Sequence, residues 1–319
     1  MRDAEVYLMQ HELMKNIIME IMPGIYFIFV IWAVVLVFKW WMAARKRRLL
    51  EKFPLPDDFK VMRLPGESQQ REVEKLYEDF PAKVLMGSVL SLALPLLVLE
   101  AAIQFHADHN GQRWALIIAG ALFGLETIAL IAWACSLMFE IRNRRLGVFG
   151  ERVVGEMLDG LKLEGYQVFH DVPTGDAKHP YNVDHVVVGE TGIFAVETKA
   201  YRKKKGRRGL KPHVITFADD RLIFPWADSK EELAQAKEKA QWLSRQLSLA
   251  CQSSVEAKPI LVFPGWYIEP EGAWTMTLNH KRVNEYIRRQ RGACPTKGEL
   301  RTTTAYLKDR CTCTGRGDL

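Results

Sequence analysis

The stretch Asn182-Val-Asp-His-Val-Val-Val-Gly-Glu-Thr-Gly-Ile-Phe-Ala-Val-Glu-Thr-Lys199 decides the reading of the chain. It consists of two apolar, β-branched runs joined by a Gly/Glu/Thr turn, the pattern of a strand hairpin. Asp184, Glu197 and Lys199 are set into it. Acidic residues are poor strand formers and costly to bury alone, so three charges on an oily hairpin call for a ligand, a partner or a catalytic role. Side chains alternate along a strand, which puts Glu197 and Lys199 on one face and Thr198 on the other. Pairing of the two strands brings the Asp184 carboxylate beside Glu197. Two carboxylates form a hard, oxygen-rich site suited to Mg²⁺, which keeps waters in its remaining positions. Lys199 stands where it can orient an attacking water and offset charge on a phosphorane, so the set fits phosphodiester hydrolysis. The plainer alternative is a salt-bridge set at a strand edge.

Working outward, the elements alternate between helix and strand. Residues 147–161 form an amphipathic helix with Val148, Val153, Met157 and Leu161 on one face and Glu151 as a further carboxylate. A short strand, 166–171, precedes the hairpin. Lys203, Lys204, Lys205, Arg207 and Arg208 follow it as a basic loop able to track a phosphate backbone, its alternative being a solvated charge run. Strands are expected at 214–217, 221–224 and 258–263. Helices are expected at 229–248, with Leu233, Ala236, Ala240, Leu243 and Leu247 buried, and at 283–289 and 297–308. The fold class is an α/β domain with a mixed sheet flanked by helices. Glycine-rich phosphate loops, GxSxG elbows and HExxH motifs do not occur in the sequence, which removes the nucleotide-binding, hydrolase-elbow and zincin readings.

The first 146 residues read as a membrane α-helical region. Three apolar runs, about 21–38, 84–103 and 114–139, are long enough to span a bilayer. Trp40, Trp41 and Arg45-Lys-Arg-Arg48 follow the first run, and Arg142, Arg144 and Arg145 close the third. The 39–83 loop is rich in Lys and Arg, whereas the 104–113 loop holds only Arg113. The expected topology is therefore a multi-pass protein of the inner or cell membrane, with its N-terminus outside and the soluble domain in the cytoplasm. Gly120 and Gly124 match a helix-packing pattern, which suggests a homo-oligomer through the spans. Glu126 lies mid-span, and without a second intramembrane charge it makes a poor transport path. His106 and His109 suit a solvated loop better than a metal site. Three domains result: 1–146, 147–270, and a helical extension and tail at 271–319.

Composition agrees without deciding. There are 44 Lys and Arg against 38 Asp and Glu, a net charge of +6, which fits an anionic partner such as nucleic acid or the acidic surface of the lipid bilayer. Five scattered cysteines exclude a disulfide framework.

Several motifs in order carry a family resemblance: Gly147-x-x-Gly150-Glu151, Asn182-Val-Asp184-His185, Gly189-Glu-Thr-Gly192-Ile-Phe-Ala-Val, Glu197-Thr-Lys199, the helix with Gln235 and Gln241, and Pro259-Ile-Leu-Val-Phe. Together, over about residues 147–265, they resemble the NERD (nuclease-related) domain, which is related to the restriction-endonuclease-like fold. The resemblance implies nuclease core roles for Glu151, Asp184, Glu197 and Lys199, with Mg²⁺ as the ion and DNA as the substrate. The chain departs from the family pattern after Lys199, where Ala200-Tyr201 leads into the basic loop instead of an Asn and a short Gly turn. The expectation is a membrane-anchored, metal-dependent nuclease. The alternatives are a nucleic-acid-binding module without catalysis and a membrane scaffold or sensor.

Overall fold

The structure is a computed structural model. It describes residues 33, 36–41, 43–45, 60–104, 109–175, 181–204, 206–207, 209–269, 276–290 and 295–314. The chain divides into two compact units, residues 1–54 with 74–141 and residues 55–73 with 142–319.

In the first unit, most of the expected 21–38 span lies outside the described residues. Helix α1 (Glu67–Gln104) contains the 84–103 stretch, with Pro81 and Pro95 inside it. Helix α2 (His109–Asp159) contains the 114–139 stretch. Among the described residues, one helical segment, Asn110–Glu164, is long and apolar enough to cross a membrane, an 18-residue stretch of it having mean hydropathy 2.2, where the sequence suggested three spans. Its large apolar side chains face outward: Leu125 is 66% and Ile128 67% exposed. Glu126 Oε2 is out of contact with solvent and has no hydrogen-bond partner among the described residues.

The second unit is built on a five-stranded sheet in the order β10-β8-β4-β3-β2. Its strands are β2 (Gln167–Pro173), β3 (Asn182–Gly189), β4 (Gly192–Thr198), β8 (Ala257–Val262) and β10 (Thr277–Leu278). The first three pair antiparallel, while β4, β8 and β10 run parallel, so the sheet is mixed as the sequence implied. Its strands are buried on both faces, which is why they read as nearly continuous apolar runs. Ile193 and Ala195 pack toward helix α3 (Glu231–Cys251), whose buried stripe includes Leu233, Ala236, Ala240, Leu243 and Leu247. Phe194 and Val196 pack on the other side, with Val154 and Leu158 of α2.

Of the face expected over 147–161, Val148 and Leu161 are buried and Val153 and Met157 half-buried, while Val154 and Leu158, not expected there, are fully buried. Two glycines let α2 approach its neighbours closely. A Cβ at Gly150 would meet the Ala200 Cβ at 2.5 Å, and one at Gly155 would meet Pro65 at 2.5 Å.

A second, four-stranded sheet, in the order β7-β6-β5-β9, holds β5 (Val214–Ala218), β6 (Arg221–Ile223), β7 (Asp228–Ser229) and β9 (Tyr267–Glu269). It encloses a cluster that includes Phe224, Phe263 and Trp266.

The sequence set residues 271–319 apart, yet the described ones among them, 276–290 and 295–314, build the same domain. Val283 and Ile287 of α4 (Val283–Arg289) and Leu307 of α5 (Lys297–Arg310) are fully buried, the first two in the α2 cluster and the last in the α3 cluster. Likewise β1 (Lys60–Met62), expected in a loop between spans, pairs antiparallel with β11 (Thr312–Thr314). These contacts join segments distant in sequence, and no local pattern announces them.

Candidate active site

Side-chain alternation carries the site. Residues 186, 188, 193 and 195 line the α3 face of the sheet, so Asp184 and Glu197, at even steps from them, project to that face. The register His185 opposite Val196 sets Asp184 and Glu197 at the next rung, as the hairpin pattern predicted. On the outer side, His170 opposite His185 and Val172 opposite Val183 place Asp171 at the rung of Asp184. Three carboxylates from three neighbouring strands thus form one buried row: Asp171, Asp184 and Glu197 are 3%, 7% and 3% exposed.

Each member of the row has a cation. Lys239 of α3 donates from Nζ to Asp184 Oδ1 at 3.0 Å and also to Glu197 Oε2. Lys199 Nζ lies 3.0 Å from Glu197 Oε1. Arg63 Nη1 donates to Asp171 Oδ2 at 2.9 Å. Asp184 Oδ2 further accepts the Thr198 N–H at 2.8 Å. Asp171 accepts from the Ser68 N–H at 3.1 Å and from Asn182 Nδ2 at 2.7 Å. Backbone support is equally close, with Lys199 N–H donating to Val262 O at 2.9 Å, which ties the end of β4 to β8.

Glu151 of α2 completes the set. Burial first, then the charges of Asp184 and Asp171, push its carboxyl up to about 9, so it is protonated at neutral pH. Burial also raises Glu197, with Asp184 adding to the rise and Lys239 and Lys199 opposing it. For Asp184 burial works upward too, but Lys239, His185 and the Thr198 N–H outweigh it and leave the pKa lowered. Burial pulls Lys239 down, yet its two carboxylates outweigh that and raise it, so the ammonium stays charged.

Behind Asp184, on the opposite face, His170 and His185 bond through their Nδ1 atoms at 2.9 Å, and His170 Nε2 lies 3.0 Å from Asp159 Oδ1. Burial lowers both imidazoles, His185 to about 3, so both are neutral. If His170 donates from Nε2 to Asp159, its Nδ1 must accept, and His185 donates from Nδ1. The pair thereby ties β2 to β3 one rung away from Asp171 and Asp184.

All four residues expected from the sequence, Glu151, Asp184, Glu197 and Lys199, therefore meet in one place. Lys239 and Asp171 were missed. Lys239 lies on the face of α3 that the apolar stripe already marked, one residue before Ala240 and three after Ala236. Asp171 takes its cation, Arg63, and the Ser68 N–H from residues more than a hundred positions away. The basic loop divides. Lys205 and Arg208 lie outside the described residues. Arg207 donates to Phe224 O at 3.0 Å and to Asp228 Oδ1 at 2.6 Å. Lys204 Nζ sits 5.5 Å from the Trp226 ring, and Lys203 lines an open cavity. Tyr201, at the departure from the family pattern, is held among Phe224, Trp226 and Phe263, and its hydroxyl donates to Glu232 at 2.8 Å.

Among the described residues, no three His, Cys, Asp or Glu side chains gather in a group able to hold a metal ion. Asp184 Oδ1 and Glu197 Oε2 nonetheless converge on the single ammonium of Lys239, which stands in for a cation between them. Two carboxylates with waters fit Mg²⁺, provided that Lys239 withdraws.

Among curated proteins, an uncharacterized protein of Bacillus anthracis is 36% identical over 84 residues, which amount to 25% of this chain and 38% of that protein. No solved structure matches the chain. Residues 146–264 match the family described as NERD, nuclease-related domain, and the buried acid row with its lysines lies within that nuclease-related domain.

Proposed function

We propose that the chain is a membrane-anchored, cytoplasmic, Mg²⁺-dependent nuclease with a restriction-endonuclease-like core that hydrolyses phosphodiester bonds of DNA. The observation that carries this reading is the convergence of Asp184 and Glu197 on one cation position, with Lys199 bonded to Glu197 at the rim. Asp184 and Glu197 would hold the ion. When bound, Mg²⁺ would polarise the phosphoryl oxygen and lower the pKa of its water. Asp184, kept ionised, orients its second oxygen through the Thr198 N–H. Lys199, the more exposed of the two lysines, can donate to a phosphoryl oxygen while Glu197 holds it in place. Glu151 is neutral and adds no further negative charge near an incoming phosphate. The outward apolar side chains of α2 support the anchor.

The test uses the full chain in detergent, with Mg²⁺ and either supercoiled or linear DNA. The wild type should cut, whereas Glu197→Gln and Lys199→Ala should each lower the rate by at least about a hundredfold, the scale of losing one transition-state donor. Cleavage that persists unchanged in both variants would refute the assignment. One observation favours a second reading: Lys239 already neutralises both carboxylates. A non-catalytic nucleic-acid-binding module would show salt-sensitive DNA binding with no Mg²⁺-dependent cutting.

A further inference from the structure

Beside the second sheet lies an open cavity of about 670 Å³, a volume typical of ligand sites. Its wall is the parallel pair β5–β9, with Val214 opposite Tyr267, and the Tyr267 N–H donates to His213 O at 3.1 Å. The turn Asn279–Arg282 closes the other side. Asn279 donates to Trp266 O and accepts the Lys281 N–H at 2.9 Å, while His280 Nδ1 accepts the Gly265 N–H at 3.3 Å. The cavity is thus framed by backbone held on two sides, not by loose loops.

Its chemistry is that of an anion site with an aromatic platform. Lys203, Lys211, Lys281 and Arg282 line it, against one carboxylate, Glu269. Glu269 is taken by Lys211 at 3.3 Å, and Lys203 and Lys281 have no carboxylate partner among the described residues. Tyr267 is 66% exposed, and the His213 ring braces it edge-on at 5.6 Å between centroids. Exposed cations beside a braced, outward aromatic ring are the two components that bind single-stranded nucleic acid: phosphates on the charges and a base on the ring. A duplex, whose bases are stacked inside, offers nothing to the ring.

Position ties the cavity to the acid row. Lys203 is four residues beyond Lys199, so the intervening chain spans at most about 14 Å. Strand β8 has Val262 opposite Thr198 and leads directly through Phe263 and Pro264 to Gly265 in the cavity wall.

We propose that this cavity seats a single-stranded segment of nucleic acid, with Tyr267 stacking a base and Lys203, Lys281 and Arg282 neutralising phosphates, and that it leads the strand to Lys199. The assignment rests on the nuclease reading and narrows its substrate to single-stranded or locally unpaired nucleic acid. The test measures fluorescence anisotropy of a short labelled oligothymidylate on the full chain in detergent, with EDTA present so that nothing is cut. A hairpin duplex and thymidine monophosphate serve as competitors.

The oligothymidylate should bind tighter than either competitor. Tyr267→Ala should weaken it by roughly 5- to 150-fold, the range of one lost base stack, with little change for the duplex. The double variant Lys203→Ala/Lys281→Ala should reduce the log–log salt slope by about 1.4, or about 0.7 for each lost phosphate contact. Equal affinity for duplex and single strand, unchanged binding by Tyr267→Ala, or full competition by the mononucleotide each overturns the proposal. Both variants are at exposed or open positions, and melting curves matching the wild type confirm that they fold. Loss of binding in these variants without any Mg²⁺-dependent cutting by the wild type would break the cleavage reading and keep the strand site. Cutting that coexists with unaltered binding in the variants would do the reverse.

Discussion

The acid row and the basic cavity lie in the same domain and treat charge in opposite ways. In the row, Asp171, Asp184 and Glu197 are buried and matched by Arg63, Lys239 and Lys199, while Glu151, which has no cation bonded to it among the described residues, is neutral. In the cavity Lys211 pairs with Glu269, while Lys203 and Lys281 are exposed and have no carboxylate partner among the described residues. Desolvation explains the contrast. A buried charge without a partner costs several kcal/mol, so the fold must supply its partner or remove the charge by protonation. An exposed cation costs little and can wait for a ligand. The row is therefore internally closed, and an incoming ion must displace Lys239, whereas the cavity needs an anion from outside.

Removing one partner of the row should give the largest effect. Lys239→Ala leaves Asp184 and Glu197 buried without their shared cation, at a cost of about 3–5 kcal/mol at neutral pH. The loss should shrink at pH 5, where the stranded carboxylates can take up protons, and added Mg²⁺ should recover part of it by occupying the vacated position. Thermal unfolding followed through the buried Trp242 and Trp266 reads this directly. A loss independent of both pH and Mg²⁺ would mean that Lys239 matters only for packing.

Glu151→Gln should act more weakly and in the opposite direction. The folded-state pKa of about 9 lies above the ordinary 4.5. Stability from this group is therefore full below about pH 4.5 and declines as pH rises toward 9, because the unfolded chain ionises first. The amide cannot ionise, so the variant should be more stable at pH 8 by about 1–2 kcal/mol and nearly unchanged at pH 4.5. That gain is kept below the full linkage value because a buried amide also needs hydrogen-bond partners. A pH-independent difference would show that Glu151 is ionised in the fold.

The smallest effect belongs to the basic loop. Arg207 pairs with Asp228 where both are about half exposed, so Arg207→Ala should cost less than about 1 kcal/mol. Because that charge is already paired, the salt slope of oligothymidylate binding should hardly move, unlike that of the Lys203/Lys281 double variant. A full unit of slope lost with Arg207 would blur the contrast between paired and waiting cations.

Much of this was legible in the sequence because it is local. Two β-branched apolar runs over 183–198, joined by a Gly/Glu/Thr turn, gave two strands, and the two-residue spacing of Glu197 and Lys199 put both side chains on one face. Helix periodicity in 229–248 gave the buried stripe of α3, and all five expected residues are buried. The close approaches at Gly150 and Gly155 were not legible, because glycines are silent in a hydrophobic pattern and act only through the backbones and side chains pressed against them. Nor was Asp171 legible, since its partners Arg63 and Ser68 come from a segment that the spacing of apolar runs assigned to a loop between spans.

The sequence by itself determined which residues sit on which strand and face, because a period of two in a strand and 3.6 in a helix needs only near neighbours. It thereby determined that Asp184, Glu197 and Lys199 share a site. Only the tertiary structure decided what compensates them: Lys239 across the row, Arg63 and Ser68 on Asp171, and Glu151 held neutral. Compensation of a buried charge depends on whatever lies within a few ångströms, and folding brings together residues that the chain keeps far apart.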